Sequence, residues 1–60
     1  MTAIITVQEG CAGYFAVCMV LTSERFWEPY QTGFGRYATR AEAEEEARQW
    51  AEAEELELDL

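Results

Sequence analysis

The residues with the most chemistry to offer are twelve carboxylates, and nine of them fall within the last 21 residues, Arg40 to Leu60, beside only two of the four arginines. Carboxylates can act as paired acid and base, hold a cation, or present charge. Glycosidase-type catalysis needs two of them flanking a cleft, and here they lie along one solvent-facing helix. A calcium loop needs oxygen ligands on a bent backbone with a glycine at its turn, and the stretch from Glu42 to Glu55 has no glycine. The carboxylates therefore read as presented charge, with neither a catalytic pair nor a metal site expected.

Other routes to catalysis close quickly. The chain has no histidine and no lysine, which removes the commonest general base and metal ligand and the lysine of phosphate loops. Its only serine, Ser23, has no imidazole to activate it. Cys11 is the thiol expected to be exposed, and its neighbours offer no base or positive field. Gly33-Phe34-Gly35 is a lone G-x-G, and Gly10 and Gly13 belong to no phosphate-loop pattern. The sequence predicts a protein that is not an enzyme and carries no cofactor.

The aromatic residues Tyr14, Phe26, Trp27, Tyr30, Phe34, Tyr37 and Trp50 could stack on bases. Direct nucleic-acid binding also needs cations to offset phosphate, and a net charge of −8 argues against it. Most of these rings are expected in core and edge packing. Arg25, Trp27 and Tyr30 lie close enough in sequence to form an interface cluster of the residue types that dominate binding hot spots.

The elements that must position these groups follow from patterning. Sixty residues make one domain, residues 1–60, which buries only about 60% of its unfolded surface. Ala3-Ile4-Ile5-Thr6-Val7 is β-branched and suits a strand. Residues 9–13 read as a glycine-flanked loop. Tyr14 to Thr22 is the strongest strand, Ser23-Glu24 a turn, and Arg25 to Glu28 a third extended segment that Pro29 confines to an edge or an end. Thr32-Gly33-Phe34-Gly35 is a second turn, and Arg36-Tyr37-Ala38 an extended lead.

Thr39 and Glu42 form a capping box that starts a helix. Ala43, Ala47, Trp50 and Ala51 make its apolar stripe, with Trp50 as the one large anchor. Leu56, Leu58 and Leu60 alternate with Glu57 and Asp59, a period of two that fits a short terminal strand or an extended arm. The expected fold is α+β: a small three-stranded antiparallel sheet followed by one acidic C-terminal helix, βββα, with room for a short last strand as one of the two forms of the tail.

The middle strand is apolar on both faces, whereas one helix covers one. The large face, Phe15, Val17, Met19 and Leu21, is expected under the alanine stripe, since big side chains fill the space small ones leave. The other face, Tyr14, Ala16, Cys18 and Val20, is then covered only if the tail or a loop folds over it, and is otherwise an open patch of the kind that marks an interface. Cys11 and Cys18, seven residues apart, are roughly 20 Å apart along an extended strand, too far for a disulfide, and both are expected as free thiols. No apolar run approaches the ~20 residues of a membrane span and no secretory signal is recognisable, so a cytoplasmic, non-membrane protein is expected.

Charge is the remaining signal. From Glu42 to Glu55 there are seven glutamates and one arginine. The helix holds about one negative charge per 3 Å of axis, against one per ~1.7 Å for duplex DNA. Glu44-Glu45-Glu46 has few basic partners at i,i+4, and the acidity continues through Glu57 and Asp59. In size and charge the whole chain resembles the small phage-encoded inhibitors of bacterial defence, anti-CRISPR proteins in particular, several of which are acidic mimics of DNA. The local phrase Tyr37 to Ala43 also resembles small bacterial βββα domains. The first resemblance implies a non-enzymatic inhibitor whose partner is a basic nucleic-acid-binding protein such as a CRISPR effector subunit. The residues expected to meet that partner are Glu42, Glu45, Glu46, Glu52 and Glu55, joined by Arg25, Trp27 and Tyr30. The alternative is a small adaptor domain that forms a homodimer through the open sheet face, its charge serving solubility.

Overall fold

A computed structural model describes residues 2–33 and 35–60. Its elements are β1 (Ala3–Gly10), β2 (Gly13–Leu21), β3 (Trp27–Thr32), α1 (Arg40–Glu54) and β4 (Glu57–Leu58). The four strands form one sheet in the order β3-β2-β1-β4, antiparallel except for the β1–β4 pair, which is parallel. This is the βββα fold with its short terminal strand. The turn expected at 32–35 includes Phe34, which lies outside the described residues.

The β1–β2 hairpin fixes the register of everything else. Gly10 pairs with Gly13 across Cys11 and Ala12, so Ile5 faces Cys18 and Val7 faces Ala16. Gly13 takes φ 117, a conformation that favours glycine, and a side chain there would strike the Tyr37 carbonyl. That approach lets Tyr14 and Tyr37 exchange backbone bonds of 2.8 and 2.9 Å, which pins the lead into α1. Helix α1 begins as its capping box predicts. The Thr39 hydroxyl oxygen accepts from the Glu42 N–H at 3.4 Å, and the hydroxyl donates to Glu42 Oε1 at 3.0 Å.

The core joins Ile5, Val7, Ala16 and Cys18 to Ala43, Ala47 and Ala51, with Tyr14, Tyr37, Trp50, Leu56 and Leu58 packed around it. Ile5, Ala16, Ala43 and Ala47 are fully excluded from solvent. Burying a side chain the size of Ile5 stabilises by about 1.5–3 kcal/mol. The helix therefore covers the Tyr14-Ala16-Cys18-Val20 face, the reverse of the expected arrangement. β1 decides this. Its inward residues Ile5 and Val7 alternate with Thr6 and Gln8, and the hairpin register puts Ile5 and Val7 beside Cys18 and Ala16. The small residues of β2 and the alanines of α1 let the layers approach closely around them. Trp50 is only half-buried, at the margin of the stripe rather than its centre.

β3 begins two residues later than its sequence suggests. Thr22 closes a turn over residues 22–26: its Oγ1 accepts from the Glu24 and Phe26 N–H groups at 3.3 and 3.2 Å, and Arg25 takes φ 66. Beyond the turn, β3 is an edge strand, as Pro29 predicts. Its register slips between Cys18 and Met19, leaving Tyr30 as the extra residue of a bulge. All six β3 residues are exposed.

Candidate functional site

Helix α1 packs on β1, β2 and β4 but not on β3, so a cleft of about 370 Å³ runs between them, with Gln31, Thr32 and Gly33 on one wall and Glu46, Gln49, Trp50 and Glu54 on the other. Its extension toward Cys18, Val20 and Leu56 is floored by apolar side chains, with Tyr30 at the rim. No local sequence signal points to this cleft, because it exists only where the helix stops short of the edge strand.

The structure divides the five glutamates expected to act together. Glu42, Glu45 and Glu46 border a hollow beside Tyr37. Glu46 turns toward the chain itself: its carboxylate lies against Gly33, where a Cβ would collide with it. The Tyr37 hydroxyl donates to that carboxylate, which raises the Tyr37 pKa, with lesser contributions from burial and from the charges of Glu46 and Glu42. Glu46 thus ties the β3–α1 connection to the helix and is a poor contact for a partner. Glu52 lies five residues beyond Ala47, about 140° round the helix and on its outer surface. Glu55 stands beyond the last helical residue as the C-cap.

The expected shortage of basic partners also gives way. Arg40 Nε reaches Glu44 at 3.0 Å, and Arg48 reaches Glu44 at 3.9 Å and Glu45 at 3.7 Å. Exposed pairs of this kind contribute little individually, yet they offset much of the charge in the first half of α1. No base occupies the last helical turn. Glu52, Glu54, Glu55, Glu57 and Asp59 follow Arg48 without any arginine, gathered at the negative end of the helix dipole. The acidic surface is therefore a pole at the C-terminal end of α1. The sequence signal for it is the lack of any base after Arg48.

Glu55 concentrates the cost of this pole. It takes φ 55, ψ 42, the left-handed conformation usually given to glycine at this position. Its N–H bonds the Glu52 carbonyl at 3.3 Å and the Leu56 N–H bonds the Ala51 carbonyl at 2.8 Å, a Schellman motif with a glutamate where glycine is favoured.

Arg25, Trp27 and Tyr30 are not brought together. Trp27 pairs with Leu21 on the sheet face away from the helix, Tyr30 lies on the helix side of β3 at the cleft, and Arg25 sits in the preceding turn. Arg36, not singled out by sequence, places its guanidinium 4.5 Å from the centre of the Phe15 ring. Cys11 is exposed in the hairpin turn and Cys18 is buried, both as free thiols. Burial, then the charge of Glu54, raises the Cys18 pKa. Among the described residues there is no group of three potential metal ligands, and no helix is long and apolar enough to cross a membrane. Comparison with protein-family models, with curated proteins and with solved structures found no match.

Proposed function

We propose that this chain is a non-enzymatic inhibitor that binds the basic, nucleic-acid-binding groove of another protein, offering carboxylates where the groove expects phosphates. The observation that carries this reading is the acidic pole, and Glu55 above all. A glutamate there works against folding: the side chain strains the backbone and adds negative charge at the negative helix end. Glu52, Glu54, Glu57 and Asp59 extend the same charge over the last turn and β4. A cationic groove turns that repulsion into attraction.

The whole-chain likeness to anti-CRISPR inhibitors makes a CRISPR effector complex the first partner to test, with a cytoplasmic site of action. Target-DNA binding by purified effector complexes is measured with increasing amounts of this protein at low and high salt. A competitive loss of DNA binding that fades with salt is the expected result. Glu52, Glu54 and Glu55 changed together to Gln should abolish it in a folded protein. Undiminished inhibition by that variant would refute the charge mimic.

A further inference from the structure

We infer that the sheet face turned away from the helix is the interface of a homodimer, two copies packing sheet against sheet with both acidic helices outward. The pairing register places Ile4, Thr6 and Gln8 of β1, Phe15, Val17, Met19 and Leu21 of β2, and Trp27 and Pro29 of β3 on this face. Helix α1 lies on the other side, against Ile5, Val7, Ala16 and Cys18. Val17 is buried by its own neighbours, whereas Trp27 is 44% exposed. The result is a broad, mostly apolar sheet surface, suited to another sheet.

Area and charge both select a second copy. The molecule measures 34 × 24 × 17 Å. Two stacked layers about 10 Å apart account for the short axis, which leaves a broad face near 34 × 24 Å. A specific interface buries about 800 Å² per partner, an area that face can supply. The chain exposes 4317 Å², where a protein of 6.9 kDa typically exposes about 4,000 Å². The excess has the sign an uncovered face requires.

For a chain of net charge −8, self-association must keep the acids apart. This face does so. Glu9 and Glu28 alternate to the helix side with Tyr14 and Val20. Glu57, opposite Ile4 at the β4 rim, and Asp59 beyond it are acids at one corner. Arg36, over Phe15 at the hairpin end, is a base at the diagonal corner. A two-fold axis at about 45° to the strands makes the strands of the two sheets cross near right angles, one of the usual ways sheets pack, and sets each Arg36 beside the partner's Glu57. The two helix axes then stand about 30 Å apart, roughly three Debye lengths at 0.1 M salt. Edge-to-edge pairing is a poorer route, because Pro29 and the bulge interrupt β3 and β4 spans two residues.

Sedimentation equilibrium of the intact chain over a wide concentration range, at low and high salt, tests this. A monomer–dimer equilibrium that holds or tightens with salt is expected, since apolar burial strengthens in excluded salts. A complex led by the acidic pole would weaken with salt instead, so the dimer and the inhibitor reading fail separately. Trp27→Glu should weaken the dimer by about 30-fold or more while far-ultraviolet circular dichroism stays native. Gln8→Glu, at an exposed position on the same face, is the second variant should Trp27→Glu unfold. Arg36→Glu should weaken association and Glu57→Arg in the same chain should restore it. A folded wild type that is monomeric throughout, or a dimer indifferent to all these changes, overturns the proposal.

Discussion

Replacing Glu55 by glycine should make this protein more stable while removing a charge from its proposed binding surface. The residue holds φ 55 at the end of α1. A side chain in the left-handed region costs about 1–2 kcal/mol. Glycine recovers that, less the ~0.4–1 kcal/mol it gives up in greater unfolded-state freedom. Removing a negative charge from the helix C-terminus returns about 0.3–1 kcal/mol at low salt. The net is about 1–1.5 kcal/mol, which in a 60-residue chain raises Tm by roughly 4–12 °C. Glu55→Gln separates the two causes, since it keeps the strained backbone and loses the charge. Its smaller gain should vanish in ~1 M salt, where the Debye length falls to ~3 Å, whereas the glycine variant should keep its backbone share. Thermal unfolding followed by circular dichroism at both salts measures all of this. If Glu55→Gly is neutral or destabilising, the carboxylate makes a stabilising contact and the case for a site kept at the expense of folding collapses.

Ala47 is fully buried between α1 and the sheet, and Ala47→Leu should cost about 1–3 kcal/mol by overpacking, read as a lower urea midpoint. Trp50→Ala should cost about 2 kcal/mol, below the ~3–5 kcal/mol typical of a fully buried aromatic, because the ring is half-buried at the cleft. The Tyr37 hydroxyl is stabilised in its protonated form by Glu46. In ultraviolet titration Tyr37 should ionise above the ordinary tyrosine range, and Tyr37→Phe should remove that late step. Because the folded pKa is the higher one, the Tyr37 contribution is complete below the unfolded value of ~10 and is lost as pH rises through the folded value. Thiol labelling should be biphasic, fast at exposed Cys11 and at the rate of unfolding for buried Cys18; equal rates would place Cys18 outside the core.

Local chemistry determined the elements. β-branched and aromatic runs made the strands, Pro29 confined β3 to an edge, Thr39 and Glu42 started the helix, and the alternation of Leu56 and Leu58 with charged residues made the last strand. Each is written within a few residues, at the range over which propensity, capping and side-chain alternation act. The excess of acid and the absence of histidine and lysine were equally plain from composition.

Tertiary structure decided how these pieces face one another. β2 is apolar on both sides, so its own sequence could not choose a face for the helix. The choice came from β1, whose Ile5 and Val7 enter the core only through the hairpin register. The same placement left β3 beyond the reach of α1, opened the cleft beside Trp50, and sent Trp27 and Tyr30 to opposite sides of the sheet. It also turned Glu46 inward to Tyr37 and set Arg40 and Arg48 against Glu44 and Glu45, which leaves the charge concentrated at the far end of the helix. Sequence records how many charges a segment carries, but which of them meet a partner depends on the distances and directions that packing imposes.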